Sequence, residues 1–99
     1  MNHTVKCHEI YFERVIESDL GRRKTVEIRN NDRDYQEGDT MTLVDWDPES
    51  KNGTGRWAQV LITHIVGSPW LEENMVALSI LLQDFGDENR NPTIVEVSA

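Results

Sequence analysis

One cysteine, Cys7, stands in the whole chain, so no intramolecular disulfide can brace the fold. That usage suits a reducing compartment. No apolar run approaches the roughly 18–20 residues that a membrane helix requires. The opening Met-Asn-His-Thr-Val-Lys lacks the basic start and apolar stretch of a secretory signal. A cytoplasmic chain without a membrane partner is therefore expected. Glycine-rich phosphate loops and serine-histidine-acid sets are missing. Cys7 and His8 are adjacent rather than spaced as metal ligands, and no second cluster completes a zinc site. No metal and no cofactor is expected. Positive charge is scarce too: ten Lys/Arg stand against eighteen Asp/Glu, a net charge of −8. That balance disfavours indiscriminate binding of nucleic acid, because counterion release needs a positive surface.

What is present fits one domain. Ninety-nine residues with 37% apolar side chains supply a single compact core. The expected domain spans 1–99, with its core over about 4–82 and an acidic extension over 83–99. Charge is unevenly spread. Residues 1–33 hold seven of the ten Lys/Arg and six of the eighteen Asp/Glu, a balance of +1; residues 34–99 stand at −9. Within 22–33, Arg22, Arg23, Lys24, Arg29 and Arg33 face only Glu27 and Asp32. One basic patch sits on an acidic body. By charge alone it reads equally as a binding patch or as a solvated strand-and-turn surface.

Periodicity places the elements. Thr4 to Cys7 suits a short strand. Phe12, Val15 and Ile16 share one helical face within Glu9–Ser18, with Glu9 and Glu13 at the positive end of the dipole and Gly21 as a stop. Lys24 to Arg29 reads as a half-buried strand, with Val26 and Ile28 turned to the core and Thr25, Glu27 and Arg29 turned out. Thr40–Trp46 and Arg56–Val66 form a hairpin around the Asp47–Gly53 loop. In the second arm, which should be central and bent, Ala58, Val60, Ile62 and Val66 share a face with His64. That placement reads as a core histidine. Gly67-Ser68-Pro69 breaks the strand, Met75–Leu82 is a buried strand, and Asp84–Pro92 is turn-rich. Thr93–Val97 is an edge strand or a loose tail. The sum is α+β, mainly β: a small barrel with one early helix.

The sharpest chemistry lies on the Lys24–Arg29 strand. Spacing of two aligns the Thr25 hydroxyl, Glu27 carboxylate and Arg29 guanidinium, with Lys24 at the strand's entry. Such a set can hold a polar ring edge, the carboxylate accepting from an amine and the cations engaging carbonyl or phosphate oxygens. It can equally be an exposed cross-strand ion pair of little energetic weight. Trp46 and Trp57 can stack a base or pack against each other and the core.

The run Lys24-Thr25-Val26-Glu27-Ile28-Arg29 resembles the Lys-x-x-Glu-x-Arg core of the ASCH domain, a PUA-like barrel. The family's Gly-x-Lys is lengthened here by one residue, to Gly21-Arg22-Arg23-Lys24. The run onward through Gly38-Asp39, with Trp46-Asp47-Pro48, Thr54-Gly55-Arg56 and His8-Glu9, is similar to a small branch common in bacteria and phages. The likeness covers about residues 4–82. It implies a PUA-like (ASCH) β-barrel and an RNA- or nucleotide-binding module. Its cleft would use Arg22, Arg23, Lys24, Thr25, Glu27, Arg29, Arg33 and Trp46. An amidohydrolase branch, acting on an acetylated cytidine, carries Lys-Thr-x-Thr-x-Arg at this strand. Its second threonine, the proposed nucleophile, is replaced here by Glu27. A hydrolase of acylated nucleosides would then have to rely on Lys24 and Glu27, with the carboxylate as general base. A third reading, motivated by the −9 balance of residues 34–99, is a phage or prophage module that docks on a basic protein partner.

Overall fold

A computed structural model describes residues 1–87. The elements are β1 (Asn2–His8), α1 (Glu9–Val15), β2 (Val26–Asn30), β3 (Thr40–Asp47), β4 (Asn52–Val66) and β5 (Met75–Asp87). They form one five-stranded sheet in the order β1-β3-β4-β5-β2. All neighbours are antiparallel except β1 and β3, which run parallel. The expected mainly β architecture with one early helix is present among the described residues. The expected strand or tail at Thr93–Val97 lies outside them, as does most of the acidic extension.

The sheet curls into a half-barrel. No ladder joins its two edge strands, β1 and β2. Instead, Arg29 on β2 reaches across and its Nη2 donates to the Lys6 carbonyl of β1 at 2.5 Å. The concave side holds the core, where Val5, Met41, Leu43, Val60, Ile62 and Leu78 are fully buried. Helix α1 covers one end. His8 caps it, its Nδ1 accepting the Ile10 N–H at 3.2 Å, and Phe12 and Val15 enter the core. The helix stops earlier than the periodicity predicts. Ile16 N–H still bonds to the Phe12 carbonyl, but Glu17 and Asp19 then turn their side chains to backbone N–H groups and close off the next turn.

Three further expectations need correction, these for non-local reasons. On β2, Val26 and Ile28 face outward, 42% and 64% exposed, while Glu27 is buried. The pairing with β5 decides this. Glu27 opposes Leu78 and Arg29 opposes Val76, and directly opposed residues share a face. Val76 and Leu78 take the interior and carry the charged side chains of β2 in with them. His64, expected in the core, is exposed and pairs with Glu37 at 3.2 Å. A bulge between Ile62 and His64 shifts the alternation by one, so that Ile65 packs on the core instead. Finally, Asp84–Asp87, read as turn, continues β5 against β4, with Asp87 opposite Arg56.

The loop after β2 closes the other end of the half-barrel. Tyr35 is buried, edge-on to His3 with ring centroids 4.9 Å apart. Gly38, at φ 93°, makes a turn that an L side chain adopts only under strain, and its N–H bonds to the Ile62 carbonyl. Asp39 Oδ2 sits 2.8 Å from His3 Nε2 and accepts the Gln36 N–H, and Oδ1 meets the Met1 amino group. The His3 contact first, with the amino group and the Gln36 N–H adding to it against the cost of burial, holds the Asp39 carboxyl down at about 2. A depressed carboxyl stabilises the fold fully above its unfolded value near ~4, and that support fades as pH falls toward 2. The stability gap between the parent and Asp39→Asn should therefore close over that window. Urea midpoints at several pH values test this; a gap that stays constant down to pH 2 would refute it.

Candidate functional site

The gap between the edge strands is where chemistry collects. It is a cleft of about 480 Å³ lined by Cys7 and His8 at the end of β1, Tyr11 of α1, Lys24, and Val26 to Arg29 of β2. That size lies in the range of small-molecule sites. Glu27 is its buried floor. One carboxylate oxygen accepts from Lys24 Nζ, and the other from Arg29 Nε at 3.0 Å. Exposure of these side chains falls from 23% at Lys24 through 14% at Arg29 to 6% at Glu27. A carboxylate so deep is tolerated because two cations and their hydrogen bonds replace its water. The triad keeps one net positive charge.

Aromatic rings form the opposite wall. Tyr11 stands edge-on to His8 with centroids 6.3 Å apart, and Lys24 Nζ lies 6.0 Å from the Tyr11 ring centre. Val26 and Ile28 add apolar lining. Cys7 looks like a nucleophile placed beside Lys24, but the thiol is pushed up to about 12, first by burial and then by the Glu27 charge, against the pull of Lys24 and Arg29. It stays protonated at neutral pH, a weak donor 3.8 Å from the His8 carbonyl. Among the described residues, no group of three or more His, Cys, Asp or Glu is placed to hold a metal ion. No helix among them is long and apolar enough to cross a membrane.

Of the residues singled out from sequence, Lys24, Glu27 and Arg29 converge in the cleft. Thr25 does not: it is exposed just ahead of β2 and lends its carbonyl to the Ile80 N–H at 2.9 Å. Arg22 is exposed on the preceding turn, and Arg23 Nε donates to the Glu17 carbonyl at 2.7 Å. Arg33 lies in the loop beyond β2, its Nε and Nη2 buried without a partner. Trp46 is on β3, half-buried, with Lys6 Nζ 4.3 Å from its ring centre. The register sets Trp46 opposite Gly53 and Trp57 opposite Val44, so the two tryptophans are not cross-strand partners.

Sequence reasoning missed Tyr11 and the wall it makes with His8. The signal was available: positions three apart at a helix start share a side, and Tyr11 precedes the buried Phe12, which turns it away from the core.

The sequence profile of the family described as "Domain of unknown function (DUF3850)" matches residues 2–80, a span that contains every cleft residue. The chain is also 38% identical over 80 residues to the "Uncharacterized 12.9 kDa protein in GpA 3'region" of Escherichia phage P2, covering 80% of this chain and 68% of that one. With four-fifths of its length in these matches, the chain belongs to the DUF3850 family.

Proposed function

We propose that this chain is a small PUA-like module of the ASCH type that binds a nucleotide or RNA by taking one nucleobase into the cleft. The observation that carries the reading is the buried Glu27 carboxylate, held between Lys24 and Arg29 beneath the Tyr11–His8 wall. A nucleobase is flat, with apolar faces and a rim of donors and acceptors. Its faces suit stacking on the Tyr11 ring. Its rim suits a carboxylate that accepts from an amine, beside cations that donate to a carbonyl. The net positive charge of the triad suits an attached phosphate.

Binding fits this site better than turnover. The Cys7 thiol is protonated, and position 27 has no hydroxyl to act as a nucleophile. Calorimetric titration with nucleoside monophosphates tests the reading. Tyr11→Ala should weaken binding about 5-fold or more, on the order of one lost stacking contact. Unchanged affinity would place the ligand elsewhere. Release of the acyl group from an acylated cytidine, lost in Lys24→Ala, would instead favour the hydrolase reading.

A further inference from the structure

The aromatic wall does not end at the cleft. In the parallel pairing of β1 with β3, His8 is the partner of Trp46, and partners on neighbouring strands share a face. Lys6, two residues before His8, stands on that face too, with its Nζ 4.3 Å from the Trp46 ring centre. His8 is therefore common to two sites. On one side it meets Tyr11, with Lys24 over the tyrosine; on the other it adjoins Trp46, with Lys6 over the tryptophan. Rings and cations alternate along a path from the cleft to the outer face of the sheet.

We propose that Trp46 and Lys6 form a second base subsite next to the cleft, so that the ligand is a single-stranded nucleic acid segment of two or more nucleotides. This rests on the cleft's being a nucleobase site. One ring and one ammonium per subsite match the repeat of a strand, one base and one phosphate per nucleotide. Base stacking on an aromatic ring is worth more than an exposed cation–π contact, so an arriving base displaces the Lys6 ammonium from the ring toward the phosphate. The two subsites offer two net positive charges, one from the triad and one from Lys6. The salt dependence should therefore be shallow, a slope of about −1.4 for two single-strand phosphates. The acidic remainder of the surface then limits the site to a short segment.

The alternative is a plain surface contact, in which Lys6 covers a half-buried tryptophan and binds nothing. Titration of the full chain with cytidine monophosphate, an oligocytidine ribo-tetranucleotide and its deoxy counterpart separates the two. One of the tetranucleotides should bind at least about 10-fold more tightly than the monophosphate, and the better one identifies the sugar. Trp46→Ala should weaken that tetranucleotide by about 5- to 100-fold, on the scale of one stacked base, and leave the monophosphate within about twofold. Lys6→Glu, which leaves the core untouched, should do the same if the alanine variant fails to fold. Tetranucleotides no tighter than the monophosphate would overturn the second subsite, as would variants that weaken every ligand equally or none. Monophosphate binding would survive either result. Absence of binding by all three probes would instead remove the cleft reading, and this inference with it.

Discussion

Replacing Arg56 by alanine should destabilise the fold by about 3 kcal/mol or more, because it leaves a buried carboxylate without its cation. Asp45 on β3 is 1% exposed. Its Oδ2 accepts from Arg56 Nε at 3.0 Å, from Nη2 at 2.9 Å and from the Thr54 hydroxyl at 2.8 Å, while Oδ1 has no partner. Arg56 also meets Glu13 of α1 at 2.6 Å and lies over the Phe12 ring at 5.0 Å. Glu13 first and then Asp45 hold the guanidinium proton more firmly than usual, against the effect of burial. Their structural weights nevertheless differ. Glu13 is 64% exposed and screened by water, so Glu13→Ala should cost under about 1 kcal/mol. For a domain of this size, the Arg56→Ala loss corresponds to a fall in Tm of about 12 °C or more. A fall of only a few degrees would show that Asp45 relaxes into water, contrary to its burial. The consequence reaches the site, because Arg56 ties the helix carrying Tyr11 to β3.

The second large effect concerns Glu27. Glu27→Ala strands the half-buried Lys24 and Arg29 without their anion, at an expected cost of about 3 kcal/mol. Glu27→Leu combined with Lys24→Met and Arg29→Met should recover most of that, because apolar replacement of a buried ion cluster is often neutral or stabilising. The same triple variant should bind no nucleotide, having lost every polar group of the cleft floor. Denaturant titration beside calorimetry reads both. If the triple variant were as unstable as Glu27→Ala, Arg29 would be acting mainly through the Lys6 carbonyl that it bonds. If it still bound nucleotide, the triad would be structural alone.

Much of the molecule was legible in its sequence. The order of elements, the central and bent β4, the core face of α1 and the meeting of Lys24, Glu27 and Arg29 all follow from local pattern. Where the pattern misled, distant residues had decided. Alternation on β2 says that Val26 and Ile28 oppose Glu27 and Arg29, but not which pair goes inside; Val76 and Leu78, far along the chain, settle it through register. The bulge that turns His64 outward leaves no mark in the alternation of β4 itself. The acidic Asp84–Asp87 looks like a turn until Arg56 and the rest of β4 are set beside it. Tyr11 became a site residue only because β1 and β2, the two sheet edges, come to face each other.

Those same edges set the order in which the chain can be assembled. Strands β3, β4 and β5 are consecutive antiparallel neighbours, the kind of local pairing that closes cheaply. Strand β1 must find β3 across 38 residues between Asn2 and Thr40, and β2 must find β5 from Val26 to Ser79. Both closures span long stretches of chain and carry most of the topology's entropic cost. The cleft is framed by just these two strands. Its integrity is therefore a gauge of the finished fold, where the optical signal of the central hairpins reports only on their own formation.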